Sequence, residues 1–172
     1  YVRNLRAQIP ETIALVDAPM SGAAIAAQEA RLSFMLGGAK DDLDRLHPLF
    51  AAMGAHFHRM GAFGDGMAAK VLNNLLAASN TAMTRLVLDW ADAQGIDDKS
   101  LLALIQTSSG QNWFASGFDT IEFSRDGHDP ENTIGILVKD VAAAMDAAPD
   151  SADMTLPQTV QSTLKALKPR NS

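Results

Sequence analysis

Lys70 is the only charged residue between Asp65 and Arg85, and from Val71 to Thr84 the sequence carries no ionisable group. A lysine at the mouth of an uncharged stretch is a candidate for proton chemistry, because burial disfavours the ammonium form and brings its pKa toward neutrality. The competing reading is a lysine whose stem packs while its ammonium reaches solvent from the first turn of a helix. Pattern alone leaves both open. Asn74 follows one helical turn later on the same face, and Asn73, Asn80, Thr81 and Thr84 extend a polar stripe. Amides and hydroxyls among apolar neighbours need hydrogen-bond partners, from other helices or from a ligand. A stretch this poor in charge is expected to be enclosed on most sides.

Other chemistry-bearing groups have plainer readings. His56 and His58 alternate on one strand face with no third ligand in view, so ordinary polar packing is expected and no metal site. Gly64-Asp-Gly66 ahead of a helix reads either as an anion-binding nest or as a joint between domains. Asp41, Asp42 and Asp44 read as a solvated first helical turn, and Trp90, Trp113 and the eight methionines as core.

The elements that must carry these residues change character along the chain. Ile13 to Val16 and Leu32 to Leu36 are short apolar runs closed by turn residues, and His56 to Met60 is a third candidate strand. Between Gly38 and Gly54, apolar residues at Leu43, Leu46, Leu49, Phe50 and Met53 have helical spacing. From Met67 to about Gln94 no Gly or Pro interrupts, and Val71, Leu75, Ala78, Ala82, Leu86 and Trp90 recur as one helix face, which Gly95 stops. Further helices are expected from Asp97 or Asp98 to Gln106, at 111–118, at 133–147 and at 156–167. The polar tail from Lys168 to Ser172 is expected to fray. The architecture is thus an α/β remnant with a parallel-type sheet over residues 1–63, followed by an all-α domain over 64–172 built on one long central helix.

Composition narrows the classes of function. The net charge of -6 and pI near 5.0 lack the positive field that a nucleic-acid partner requires. Cysteine is absent, which excludes disulfide frameworks, thiolate zinc sites and cysteine nucleophiles, and fits a reducing compartment, here the cytoplasm. No apolar run reaches the roughly 18 to 20 residues that span a bilayer, so no membrane partner is expected. A chain that opens on Tyr1 rather than Met reads as a processed or shortened one.

Two segments carry a resemblance. Asp17-Ala-Pro-Met-Ser-Gly-Ala23 is similar to the DAPVSGG segment of β-hydroxyacid dehydrogenases of the 3-hydroxyisobutyrate dehydrogenase family, and residues 61–74, GAFGDGMAAKVLNN, are similar to that family's GxxGxGxxxKxxNN segment. Gly37-Gly38, Ser108-Ser-Gly110 ahead of Trp113, and Lys139-Asp140 match further landmarks in the same order, so the resemblance covers about residues 13 to 160. It implies a Rossmann-like domain whose distal part is present here, followed by a helical substrate and dimerisation domain. It further implies NAD or NADP as cofactor, a small hydroxyacid as substrate and a homodimer or higher homo-oligomer.

By the same resemblance Lys70 is the catalytic acid/base and Asn74 holds substrate and lysine. Ser21, Gly22 and Ala23 bind the substrate carboxylate with Asn73 nearby, and Gly66 and Lys139 lie at the cofactor. A Ser hydroxyl and backbone N–H groups at a glycine-rich turn suit a carboxylate.

Ala23 departs from the family's second glycine, a change tolerated where φ is negative. The 172 residues also hold no strand followed by GxGxxG with an acidic residue about twenty positions on. On their own they are expected to bind a dinucleotide poorly and to be inactive. 2-Hydroxy-3-oxopropionate reductases and threonate-type dehydrogenases fit nearly as well as 3-hydroxyisobutyrate dehydrogenases, whereas imine reductases usually lack the lysine. The alternative from another class is a non-catalytic helical dimerisation or binding module that retains the motifs.

Overall fold

A computed structural model describes residues 2–170, which fall into two compact units, Tyr1–Leu72 and Asn73–Ser172. The first unit contains α1 (Val2–Arg6), β1 (Met20–Ser21), α2 (Ala23–Gln28), β2 (Leu32–Gly37), α3 (Lys40–Ala51) and β3 (Gly54–Gly61). α4 (Asp65–Gln94) begins there and runs on into the second unit.

The sheet has the order β1-β2-β3, with β2 and β3 parallel and β1 antiparallel to β2. The two pairings follow from their connections. α3 supplies a crossover from β2 to β3, but the link from Gly22 to Arg31 holds only the six-residue α2. That is less than the roughly dozen residues a parallel crossover needs. The expectation of a parallel-type sheet is therefore corrected at β1.

The strand expected at Ile13 to Val16 is also corrected. Those residues form no ladder, and pairing begins at the Asp17–Gly37 bridge. α2 escaped the sequence reading although Ala-Ala-Ile-Ala-Ala-Gln is a run of good helix formers. The core joins Ala26 of α2, Leu32, Phe34 and Leu36 of β2, and Leu43 and Phe50 of α3. Phe34 lies between Phe50 and Phe57 with ring centroids 5.3 and 6.2 Å away, which holds α3 and β3 on the sheet.

Among its described residues the regular elements of the second unit are all helices: the remainder of α4, then α5 (Asp98–Gln106), α6 (Trp113–Ser116), α7 (Thr133–Asp146) and α8 (Thr155–Ala166). Side-chain caps start three of them. Asp97 accepts from Ser100 N, Asn112 from Ala115 N and Asn132 from Gly135 N, each satisfying an amide with no intrahelical acceptor. Gly95, at φ 72, ends α4.

One face of α4 is buried by small side chains, Ala78 and Ala82, against Ile134, Leu137, Val141, Val160 and Leu164, and further along Leu88 packs with Leu102, Phe114 and Phe118. Leu76, Met83 and Trp90 on this helix remain exposed. Enclosure on most sides is thus corrected to burial of one face within this chain. The core assignment of the tryptophans fails as well, because Trp90 is 62% and Trp113 52% exposed. Among the methionines Met35 is buried, while Met20, Met53, Met60, Met67 and Met83 are exposed. Alanines fill the close helix contacts that larger residues would occupy.

Nor does the tail fray up to its last described residue. Arg170 N donates to Arg125 O at 2.8 Å, and its side chain, 8% exposed, pairs with Asp89, Asp92 and Asp98. Lys168 O accepts from Arg85, a fully buried guanidinium that also donates to Ser124 O and Asp126 O. Asn171 and Ser172 lie outside the described residues.

Candidate active site

The start of α4 fixes where Lys70 stands. Gly64, at φ 98, occupies the cap position, and its carbonyl accepts the first helical bond from Ala68 N at 3.1 Å. Having no side chain, it cannot cap the third helical amide. That role falls to Asp17, whose Oδ2 accepts from Met67 N at 2.6 Å while Oδ1 accepts from Gly64 N at 2.7 Å. Asp17 is 7% exposed, and its own backbone exchanges hydrogen bonds of 2.9 and 2.8 Å with Gly37.

A side-chain carbon at Gly37 or Gly66 would collide with the Asp17 carboxylate, so both glycines are required by close approach. Asp65 closes the preceding turn by accepting from Ala62 N at 2.8 Å. In the Gly64-Asp-Gly66 turn a resident carboxylate already holds the Gly64 N–H, and just beyond the turn that of Met67, so these two amides are not open to an anion. Lys70 lies one turn further along α4 and is half-buried.

Ser21 closes β1 and is half-buried, whereas Gly22 and Ala23 are exposed at the head of α2. Gly22 has φ 136 and Ala23 has φ 57. The negative φ that would have made Ala23 an easy replacement for glycine is thus not what the chain adopts. An alanine in the left-handed region costs roughly 1 kcal/mol. The fold nevertheless retains the glycine-like turn, with two exposed residues whose amides suit a carboxylate.

The other expected residues lie in the second unit. Asn73 is exposed and Asn74 half-buried, with Asn73 Nδ2 3.5 Å from Asn74 Oδ1, at the limit of a hydrogen bond. Lys139 is exposed on α7 and its Nζ donates to Pro130 O at 3.3 Å. In the polar stripe, Thr81 bonds Ala77 O at 3.0 Å and Thr84 meets the Asn112 amide at 3.3 Å. Gly66 is enclosed beside Asp17 and Gly37, and packing accounts for its lack of a side chain.

His56 and His58 are exposed on β3, and no group of three metal-ligating side chains gathers among the described residues. Two surface hollows of about 480 and 570 Å³ are lined by Asp89, Pro169, Arg170 and their neighbours and include none of the expected site residues. No helix among the described residues is long and apolar enough to cross a membrane.

In the sequence Asp17 stands within a motif that assigns it no task. The signal was a helix start with glycine where a capping side chain is usual. Arg85 reads in the sequence only as the end of the uncharged stretch, although a charge following such a stretch has to find buried partners.

Comparison with known proteins finds family matches over both parts of the chain. Residues 64–171 match a family model described as the NAD-binding part of NADP-dependent 3-hydroxyisobutyrate dehydrogenase, and residues 3–76 match the NAD binding domain of 6-phosphogluconate dehydrogenase. Human mitochondrial 3-hydroxyisobutyrate dehydrogenase is 32% identical over 139 residues, covering 77% of this chain and 41% of that protein. The NAD-dependent L-serine dehydrogenase of Pseudomonas aeruginosa is 33% identical over 150 residues, covering 83% of this chain and 50% of its own length. The chain thus spans half or less of these curated relatives.

Among solved structures, Mycobacterium tuberculosis 3-hydroxyisobutyrate dehydrogenase with L-serine matches at TM-score 0.72 and 27% identity, over 89% of this chain and 57% of the other. The Salmonella typhimurium enzyme of the same name, at TM-score 0.75 and 22% identity over 95% of this chain and 56% of that one, shares the fold. With a matched model over more than half its length, and with the lysine helix and serine-glycine turn that the motifs predict, the chain belongs to the β-hydroxyacid dehydrogenase family.

Proposed function

We propose that this chain contributes the substrate and proton-transfer part of an NAD(P)-dependent oxidoreductase acting on a small β-hydroxyacid of the 3-hydroxyisobutyrate type. The observation that carries the reading is Lys70, half-buried one turn into a helix whose start is held by a buried carboxylate. Nζ of Lys70 takes the hydroxyl proton as the carbonyl forms, and returns it in the reverse direction. The Ser21 hydroxyl and the amides of Gly22 and Ala23 receive the substrate carboxylate. Asn74, with Asn73 beside it, orients lysine and substrate. When bound, the nicotinamide accepts or supplies the hydride.

Lys139 suits the nicotinamide end, since its exposed ammonium rests on a long carbonyl contact at 3.3 Å and can be re-engaged. The Gly64 and Met67 amides do not suit the pyrophosphate, because Asp17 occupies them. Gly66 is close-packed at the helix start, and its place at the cofactor rests on the family resemblance. We place the boundary between the dinucleotide domain and the helical domain at residues 63 and 64, where the glycine turn leads into α4.

The exposed Leu76, Met83 and Trp90 support a homodimer formed through α4. They also favour the second reading, a helical dimerisation module without catalysis. Absence of cysteine supports the cytoplasm as compartment.

Lys70→Ala in the intact protein separates the two readings. We expect kcat with a hydroxyacid to fall by about 10² to 10⁴-fold with cofactor affinity nearly unchanged. Lys70→Arg should rescue little, because a guanidinium keeps its proton. Unchanged kcat in Lys70→Ala would remove the catalytic reading.

A further inference from the structure

We infer that Asp17 is the positioning residue for Lys70, a role that rests on Lys70 being the acid/base. A helix normally receives its cap from the residue that begins it, whose side chain moves with the helix and does not tie it to another element. α4 has glycine there and takes its cap oxygen from a residue 50 positions earlier in the chain. Both carboxylate oxygens are engaged, one on Gly64 N and one on Met67 N, so the helix start is fixed in rotation as well as in place.

Asp17 is itself tied to the end of β2 by paired backbone bonds to Gly37. The fit is close, because a side-chain carbon at Gly37 or Gly66 would collide with the carboxylate. Lys70 follows Met67 by one turn of rigid helix, and Ser21 follows Asp17 by one short step of extended chain. One buried side chain thus sets both the lysine and the turn expected to take the substrate carboxylate. A shift of about 1 Å at such a pair costs roughly 100-fold in rate. Asp17 touches no reacting atom in this account and acts through the lysine.

The test compares Asp17→Asn, Lys70→Ala and the double variant in the intact protein, well below their melting temperatures. Asparagine keeps the shape but turns an N–H toward one of the two donors. We expect Asp17→Asn to lower kcat roughly 10- to 100-fold with substrate KM changed by less than about twofold. In the Lys70→Ala background the same change should cost less than about twofold, because there is no lysine left to misplace.

An equal loss in both backgrounds would overturn the positioning role and leave the lysine assignment standing. Near-normal kcat in Lys70→Ala would overturn that assignment and this inference together. Should Asp17→Asn not fold, Asp17→Ser takes its place in the same two-background comparison, and amide exchange in the unmodified protein tests the contacts themselves. Gly64 and Met67 N–H should exchange at least about tenfold more slowly than unprotected amides, although neither has an acceptor within its own helix. Exchange at the unprotected rate would overturn the inference.

Discussion

Asp17 in the first unit and Arg85 in the second are both buried charges whose hydrogen bonds go to backbone, and the contrast between them separates positioning from stability. Asp17 accepts two N–H groups at the start of α4, three residues short of the candidate catalytic lysine. Arg85 donates to the carbonyls of Ser124, Asp126 and Lys168 at 2.9, 2.7 and 2.5 Å, and so fastens a loop and the C-terminal segment. Burial lowers the proton affinity of Arg85, with Asp89 opposing, yet guanidinium holds its charge at any accessible pH. The same device, a buried ion satisfying backbone groups, therefore serves chemistry in one unit and chain closure in the other.

That contrast breaks most visibly at Arg85. Arg85→Met should leave the buried Ser124 carbonyl and the part-buried bonds to Asp126 and Lys168 without a donor and destabilise the second unit by about 3 kcal/mol, read from urea unfolding. Arg85→Lys should recover only part of this, since one ammonium cannot match the fork that reaches all three. Asp17→Asn should cost less stability, about 1 to 2 kcal/mol as for a lost cap, while costing more in kcat. If Arg85→Met lowered kcat per folded molecule more than Asp17→Asn did, the division of labour drawn here would be wrong.

A smaller effect is expected at Ala23. With φ 57 there, Ala23→Gly should raise stability by roughly 1 kcal/mol through relief of strain, against the usual entropic penalty of glycine. A loss of stability would show that the turn is not strained.

The smallest concerns Asp97, whose carboxyl is held below the usual range first by the Ser100 backbone N–H and then by its hydroxyl. A carboxylate with a depressed folded-state pKa stabilises above the unfolded value and loses that contribution as pH falls through the folded one. The penalty of Asp97→Ala, measured by thermal unfolding, should therefore be present at pH 6 and vanish in acid below the ordinary value of 3.8. A penalty independent of pH would mean that shape, not charge, makes the cap.

Local signals in the chain foretold most of the fold. Uninterrupted helical spacing gave α4 almost to its ends, and Asp97, Gly95 and Gly38 marked boundaries that the structure keeps. The strand at Ile13 to Val16 failed because a run of apolar residues does not say whether a neighbouring strand exists to pair with it. Trp90 and Met83 failed as core residues because hydrophobicity reports a wish for burial, and within this chain alanines fill the space instead.

At the candidate site, Lys70, Ser21 and Asn74 were legible as motif residues, but the work of Asp17 was not. Its partners lie 47 and 50 positions away, and no period or local spacing connects residues across such an interval. The φ of Ala23 was likewise beyond reach, since a side chain's name does not fix its backbone when the surrounding turn demands another conformation.

The account depends most on Lys70 exchanging a proton with substrate. The direct measurement is the pH dependence of kcat/KM for hydroxyacid oxidation in the intact protein and in Lys70→Ala. The account predicts that the rate of the unmodified protein declines on the acid side as its base becomes protonated, and that this limb is missing from the residual activity of the variant. The same acid limb in both proteins would show that another group takes the proton, and would contradict the account at its centre.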